Sequence, residues 1–126
     1  MKKLIYVVQR HDARKLHYDL RLQFGNILKS WAVPKEPSKK EGEKRLAIEV
    51  EDHELSYGNF EGEIPEGMYG AGKVIIWDKG SYELESLKPD KKIVFIIKGK
   101  KLKGRYCLLH FRPKEKSWLF FKIKEK

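Results

Sequence analysis

Apolar and polar residues alternate along several stretches of this chain, separated by turns and irregular segments. Lys3–Gln9 is rich in β-branched and aromatic residues and predicts a first strand. Asp12-Ala13-Arg14-Lys15 has no β-branched residue and is expected to curl into a helical turn. In His17–Phe24, leucine, tyrosine and phenylalanine alternate with His17, Asp19, Arg21 and Gln23, which predicts a strand with one polar face. Gly25-Asn26 is a two-residue hairpin signal, and Ile27–Val33 is the expected return strand. The polar stretch 34–44, with two prolines and a glycine, predicts a mobile loop. Arg45–Glu51 alternates again, with Leu46, Ile48 and Val50 on one face and Arg45, Ala47, Glu49 and Glu51 on the other; it ends in Asp52-His53.

Leu55–Ala71 is irregular, with Gly58, Gly62, Gly67, Gly70 and Pro65 among its aromatic residues, and is expected to bend closely around something. Gly72–Trp77 resumes a strand. Asp78-Lys79-Gly80 has the composition of a hairpin turn, after which Ser81–Glu85 returns and Leu87-Lys88-Pro89-Asp90 turns again. Ile93–Ile97 is wholly apolar and is expected to be central. Gly99–Arg105 predicts a basic turn, and Tyr106–Phe111 with Trp118–Ile123 a closing pair. About eight short strands, with turns every eight to twelve residues or so, predict an all-β, mostly antiparallel barrel or sandwich with one or two short helical turns at most.

At 126 residues the chain is a single domain, 1–126, large enough to bury a core without staples. Its only cysteine, Cys107, lies in an apolar run and is expected to be a buried, inert thiol, which rules out an internal disulfide. No apolar run approaches membrane-spanning length, and Met1-Lys2-Lys3 is too short to open a signal peptide, so a cytoplasmic location is expected. A formal charge of +10, from 28 basic and 18 acidic residues, favours a polyanionic partner, most simply nucleic acid. Lysine-rich proteins of hot or salt-adapted cells carry such charge for other reasons.

The chemistry concentrates early. An imidazole and a carboxylate two residues apart on one strand face, His17 and Asp19, can share a divalent cation, and the Arg21 guanidinium beside them can hold a phosphate or carboxylate. His11 lies six residues before His17, roughly 20 Å away if the chain ran straight at about 3.3 Å per residue; the curl at 12–15 would bring it back. Two imidazoles and a carboxylate are the donor types of a first-row metal site with open positions. Two other classes fit parts of the pattern. His17-x-Asp19 with distant His53 mimics the facial triad of a non-haem iron oxygenase. A non-catalytic nucleic-acid-binding barrel would use Lys98–Arg105 for backbone contacts and Trp31, Tyr69 and Trp77 for stacking.

Longer motifs narrow the choice. Val8-Gln9-Arg10-His11-Asp12-Ala13-Arg14-Lys15-Leu16-His17-Tyr18-Asp19-Leu20-Arg21-Leu22, Leu28–Lys35, Lys44–Ala47, Glu51-Asp52-His53, Tyr57 and Phe60–Gly72 together closely resemble the phosphoesterase domain of bacterial DNA ligase D and its free-standing archaeal relatives. That resemblance runs nearly the whole chain, through Lys101–Gly104 to Trp118 and Lys122. It implies a compact β-barrel carrying a manganese-dependent 3′-end-healing enzyme of non-homologous end joining, with Co²⁺ or Zn²⁺ as other possible metals. Such an enzyme removes a 3′-terminal ribonucleoside from a primer-template as a phosphodiesterase. It then removes the remaining 3′-phosphate as a monoesterase, and a separate DNA ligase and polymerase could work beside it. Carried over by position, His11, His17 and Asp19 would be metal ligands, Arg21, His53 and Tyr57 would contact the scissile phosphate, and Gln9, Lys35 and Arg45 would support the site. His110 reads as an ordinary strand residue. Fused ligase D proteins carry polar residues upstream of the Gln9 position, whereas eight residues precede it here. Weaker diesterase than monoesterase activity is therefore expected.

Overall fold

The computed structural model describes residues 3–112 and 114–125. Its strands are β1 (Leu4–Asp12), β2 (Leu16–Phe24), β3 (Ile27–Val33), β4 (Arg45–Glu54), β5 (Gly62–Ile64), β6 (Gly72–Lys88), β7 (Lys92–Lys98), β8 (Lys103–Arg112) and β9 (Ser117–Lys122), with a 3-10 helix, Leu55–Asn59, after β4. Hydrogen bonding runs β1-β2-β3-β4-β9-β8-β7-β6, and β6 pairs back onto β1. The result is a closed, antiparallel eight-stranded barrel, with β5 added beside the start of β6. Among the described residues no helix is long and apolar enough to cross a membrane.

Alternation fills the barrel. Tyr6 and Val8 of β1, Tyr18, Leu20 and Leu22 of β2, and Phe95 of β7 are shielded in one cluster with Trp31, Trp118 and Phe120. Trp31 and Trp118 meet edge to face at 5.7 Å. The apolar β7 lies between β6 and β8, as its composition predicts. Cys107 is buried, and that burial raises its thiol pKa, in keeping with an inert side chain. The 34–44 loop is tied down: Tyr106 donates its hydroxyl to the Ser38 carbonyl at 3.1 Å, and Arg45 Nε donates to the Glu36 carbonyl at 2.8 Å.

Several expectations are corrected. Asp12–Lys15 forms no helical turn; β1 and β2 make a hairpin in which His11 and His17 are direct cross-strand partners. Asp78-Lys79-Gly80 forms no hairpin, because β6 passes straight through it. The Asp78 carboxylate instead accepts N–H bonds from Lys100, Lys101 and Leu102 at 2.9–3.0 Å and the Tyr6 hydroxyl at 2.9 Å. Gly80 lets β6 pass the Lys98 carbonyl, which a Cβ there would approach to 2.1 Å. Trp31, expected as a stacking platform in the binding-barrel reading, is wholly buried. Trp77 is engaged by Tyr18 at 5.7 Å and by Lys101 Nζ at 4.6 Å over its ring. On β4 the barrel interior takes Ala47, while Leu46 is exposed. His110 is a β8 strand residue, as expected. Its ring stacks on Trp118 at 4.4 Å, and its nitrogens reach the carbonyls of Asp90 at 2.8 Å and Glu115 at 2.6 Å.

A second buried layer lies outside the barrel wall. Val7, Gln9 and His11 of β1, Asp19 and Arg21 of β2, and Leu28 and Ser30 of β3 are shielded without belonging to the interior cluster. Their cover is the irregular segment after β4. Gly58 of its 3-10 helix packs so closely that a Cβ would touch Leu28 at 3.4 Å and Val7 at 3.6 Å. The expectation that 55–71 wraps around something is met: it wraps this outer wall.

Candidate active site

Because β1 and β2 pair in register, the His11, His17 and Asp19 side chains share the outer face of adjacent strands. Their donor atoms all lie within 4.8 Å of one another. His11 Nδ1 is 3.6 Å from Asp19 Oδ2, and His17 Nε2 is 3.3 Å from Asp19 Oδ1. The other nitrogen of each ring faces a main-chain carbonyl: His11 Nε2 lies 2.7 Å from Gly70 O, and His17 Nδ1 lies 3.1 Å from Lys15 O. A carbonyl takes the proton of the nitrogen it faces, so in the neutral rings the remaining lone pairs are turned toward Asp19. Two such lone pairs and a carboxylate aimed at one point call for a positive charge between them. Hydrogen bonding to Asp19 accordingly raises the His17 pKa, outweighing burial. Burial works against ionisation of Asp19, but His17 and Arg21 prevail and hold its pKa below the ordinary value.

Arg21 is buried beside this cluster and oriented on three sides. Its Nε donates to Gln9 Oε1 at 2.6 Å, Nη1 donates to Ser30 Oγ at 2.7 Å, and Nη2 lies 3.4 Å from Asp19 Oδ2. Burial lowers its pKa, with Asp19 and Tyr57 opposing, and a guanidinium stays charged throughout. Among the described residues, no further hydrogen bond of the terminal nitrogens beyond the one to Ser30 is found. Gln9 is itself fixed by donating from Nε2 to the carbonyls of Tyr57 at 2.8 Å and Phe60 at 3.1 Å, which ties the covering segment to the barrel wall. The register shift of β6 against β1 falls between Val8 and Gln9, where β6 carries the extra residue Trp77.

Tyr57 lies over Arg21, its ring centre 4.9 Å from the guanidinium carbon, and is sandwiched between His53 at 4.3 Å and Phe60 at 5.2 Å. His53 reaches this face because β4 shifts register between the partners of Leu28 and Ser30. Burial, and then Arg21, lowers the His53 pKa, which favours the neutral ring. Burial raises that of Tyr57, which keeps its hydroxyl a donor. Lys35 is exposed just past β3, at the sheet end where His17 lies. Arg45 holds the 34–44 loop through Glu36 and Glu43. No described contact joins either of them to the cluster. Nor does His53 complete an oxygenase-type triad with His17 and Asp19, since the third converging donor is His11. Ser30 is the residue the sequence reading missed. Extending the Gly25-Asn26 hairpin register places it opposite Arg21, and it is the one hydroxyl residue of β3.

The family model described as the DNA Ligase D 3′-phosphoesterase domain matches residues 9–110. The chain is 47% identical over 129 residues to the multifunctional non-homologous end joining protein LigD of Pseudomonas aeruginosa, covering 97% of this chain and 15% of that protein. Its similarity to the LigD protein of Mycolicibacterium smegmatis is 44% over 130 residues, covering 95% of this chain and 17% of that one. For the multifunctional non-homologous end joining DNA repair protein LigD of Mycobacterium tuberculosis it is 44% over 122 residues, covering 94% and 16%. The chain thus spans about a sixth of the length of these relatives. A match of domain length that encloses the converging histidines and aspartate places this chain in the DNA ligase D 3′-phosphoesterase domain family.

Proposed function

We propose that this chain is a metal-dependent phosphoesterase that heals 3′ ends of nucleic acid during end joining. It removes a 3′-terminal ribonucleoside and then the 3′-phosphate of a primer-template, leaving a 3′-hydroxyl for a polymerase and a ligase. The observation that carries this reading is the convergence of His11, His17 and Asp19, each imidazole held through its other nitrogen by a main-chain carbonyl. Two nitrogens and one carboxylate oxygen with room for further ligands suit Mn²⁺, and also Co²⁺ or Zn²⁺. A cation held there would polarise a phosphate oxygen and lower the pKa of a bound water.

The remaining side chains supply what that chemistry needs. Arg21, pre-oriented by Gln9 and Ser30, directs its terminal N–H bonds at the phosphate and takes up the charge that grows on its equatorial oxygens. Tyr57, on the guanidinium face, offers a hydroxyl donor. His53 as a neutral ring has one N–H and one lone pair, so it can bind a phosphate oxygen or relay a proton at the ester being cut. Lys35 would meet a neighbouring backbone phosphate, and Arg45 would act through the loop it holds. The +10 charge favours a polyanionic strand.

The direct test is a Mn²⁺ titration on a labelled primer-template ending in one ribonucleotide, beside the same strand ending in 3′-phosphate. Metal-dependent appearance of 3′-hydroxyl product is expected, and undiminished turnover in EDTA would refute the proposal. Gln9→Ala is expected to lower kcat about 10- to 100-fold, the usual cost of removing a group that orients the acting one. A wild-type rate in that variant would mean Arg21 needs no such support.

A further inference from the structure

Just before Gly70, whose carbonyl faces His11, the chain exposes two large side chains in succession, Met68, 61% exposed, and Tyr69, 87% exposed. Exposed aromatics are uncommon here, since Tyr6, Tyr82, Tyr106, Trp31, Trp118 and Phe120 are all buried. The turn bearing them is fixed in place. Gly67, Gly70 and Gly72 take positive φ values of 89°, 75° and 134°. Met68 N donates to Pro65 O at 3.2 Å, and Ala71 N donates to Met68 O at 3.1 Å. Gly72 lies so tightly on the β1–β2 hairpin that a Cβ would fall 2.1 Å from Asp12 O. Gly70, the residue directly after Tyr69, accepts the His11 hydrogen bond at 2.7 Å. A rigid turn therefore holds an uncovered aromatic ring one residue from the carbonyl that orients a candidate ligand. Leu16, 41% exposed, adds apolar surface beside His17 on the hairpin.

We propose that Tyr69, flanked by Met68, is a stacking platform for the nucleobase next to the phosphoester being cut. This rests on the phosphoesterase reading of the neighbouring site and names the part of the substrate that the charged groups leave unrecognised. Arg21 and the His-His-Asp cluster hold phosphate, which every nucleotide end and every small phosphoester shares. A base is flat and apolar on its faces, and a solvent-exposed tyrosine matches that face whichever base is present. Methionine beside it adapts to bases of different size. Tyr69 is thus a positioning residue that favours polynucleotide ends over base-free phosphoesters.

The test compares wild-type protein with Tyr69→Ala and Tyr69→Phe on primer-templates carrying a 3′-phosphate, one with a normal terminal nucleoside and one with an abasic residue there. Tyr69→Ala is expected to raise KM about tenfold on the normal end with little change in kcat, and Tyr69→Phe to keep the lower KM. On the abasic end, wild type and Tyr69→Ala are expected to coincide. Equal KM values on the normal end, or the same loss on both ends, would overturn the proposal. Fluorescence anisotropy on the same duplexes separates it from the catalytic reading. Tyr69-dependent preference for the normal end supports the platform even if nothing is cleaved, and absence of that preference removes it even if cleavage proceeds.

Discussion

His17→Ala is expected to reduce Mn²⁺-dependent turnover by about a thousandfold or more, because losing a ligand forfeits several kcal/mol of transition-state stabilisation at roughly tenfold per 1.4 kcal/mol. His17 is the cleanest ligand to remove. Its side chain is 25% exposed, and among the described residues its ring is bonded beyond the cluster only to the Lys15 carbonyl. Asp19→Ala would mix two effects, since it also leaves the buried Arg21 cation without its nearest carboxylate. Calorimetric titration with Mn²⁺ provides a second readout, in which the wild-type heat of binding is expected to vanish in His17→Ala while circular dichroism stays unchanged. A variant that binds Mn²⁺ and turns over like wild type would remove His17 from the centre.

Asp78→Ala is expected to lower stability by about 3 kcal/mol or more, without any loss of apolar packing, because it strands several hydrogen-bond donors at once. The N–H groups of Lys100, Lys101 and Leu102 and the Tyr6 hydroxyl all end on this carboxylate, which is 3% exposed. Among the described residues, the turn between β7 and β8 has no other carboxylate anchor. The pH dependence follows from the same contacts. Burial opposes ionisation of Asp78, yet the bonds from Leu102, Lys101, Tyr6 and Lys100 outweigh it and keep its pKa below the usual carboxylate value. A depressed folded-state pKa contributes stability that is complete above the unfolded value, about 4, and is lost as pH falls through the folded one. Urea unfolding at pH 7 and pH 3 checks both points. Wild type should lose more stability between those pH values than Asp78→Asn, and equal losses would mean that the carboxylate charge is immaterial.

The strands were legible because alternation and apolar runs are set by which residues face the barrel interior, and Gly25-Asn26 even supplied the register that sets Ser30 against Arg21. The metal-type donors were legible from residue type alone. What failed were inferences that equate local composition with local use. Asp78-Lys79-Gly80 has the chemistry of a turn, but its carboxylate serves a turn more than twenty residues later in the sequence and its glycine serves a strand crossing. His11 came close by cross-strand pairing, which needs no helical curl and which only the β1–β2 register reveals. The orientation of His53 depends on a register shift in β4, and strict alternation has no place for the extra residue. The resemblance of the long motifs supplied Lys35 and Arg45, which no described contact joins to the cluster and which leave no periodic trace; Arg45 instead holds the 34–44 loop.

The barrel wall that bears the reactive groups has consequences for how this sequence can change. Along β1 and β2 the even-numbered positions Tyr6, Val8, Tyr18, Leu20 and Leu22 fill the interior, while the odd-numbered Gln9, His11, His17, Asp19 and Arg21 face outward. Neighbours in sequence therefore answer to different demands, one to solubility and folding yield, the next to turnover. A library randomised at alternate codons of these two strands would divide into folding phenotypes and catalytic phenotypes, and the chemistry could drift under a new selection while its scaffold stayed intact.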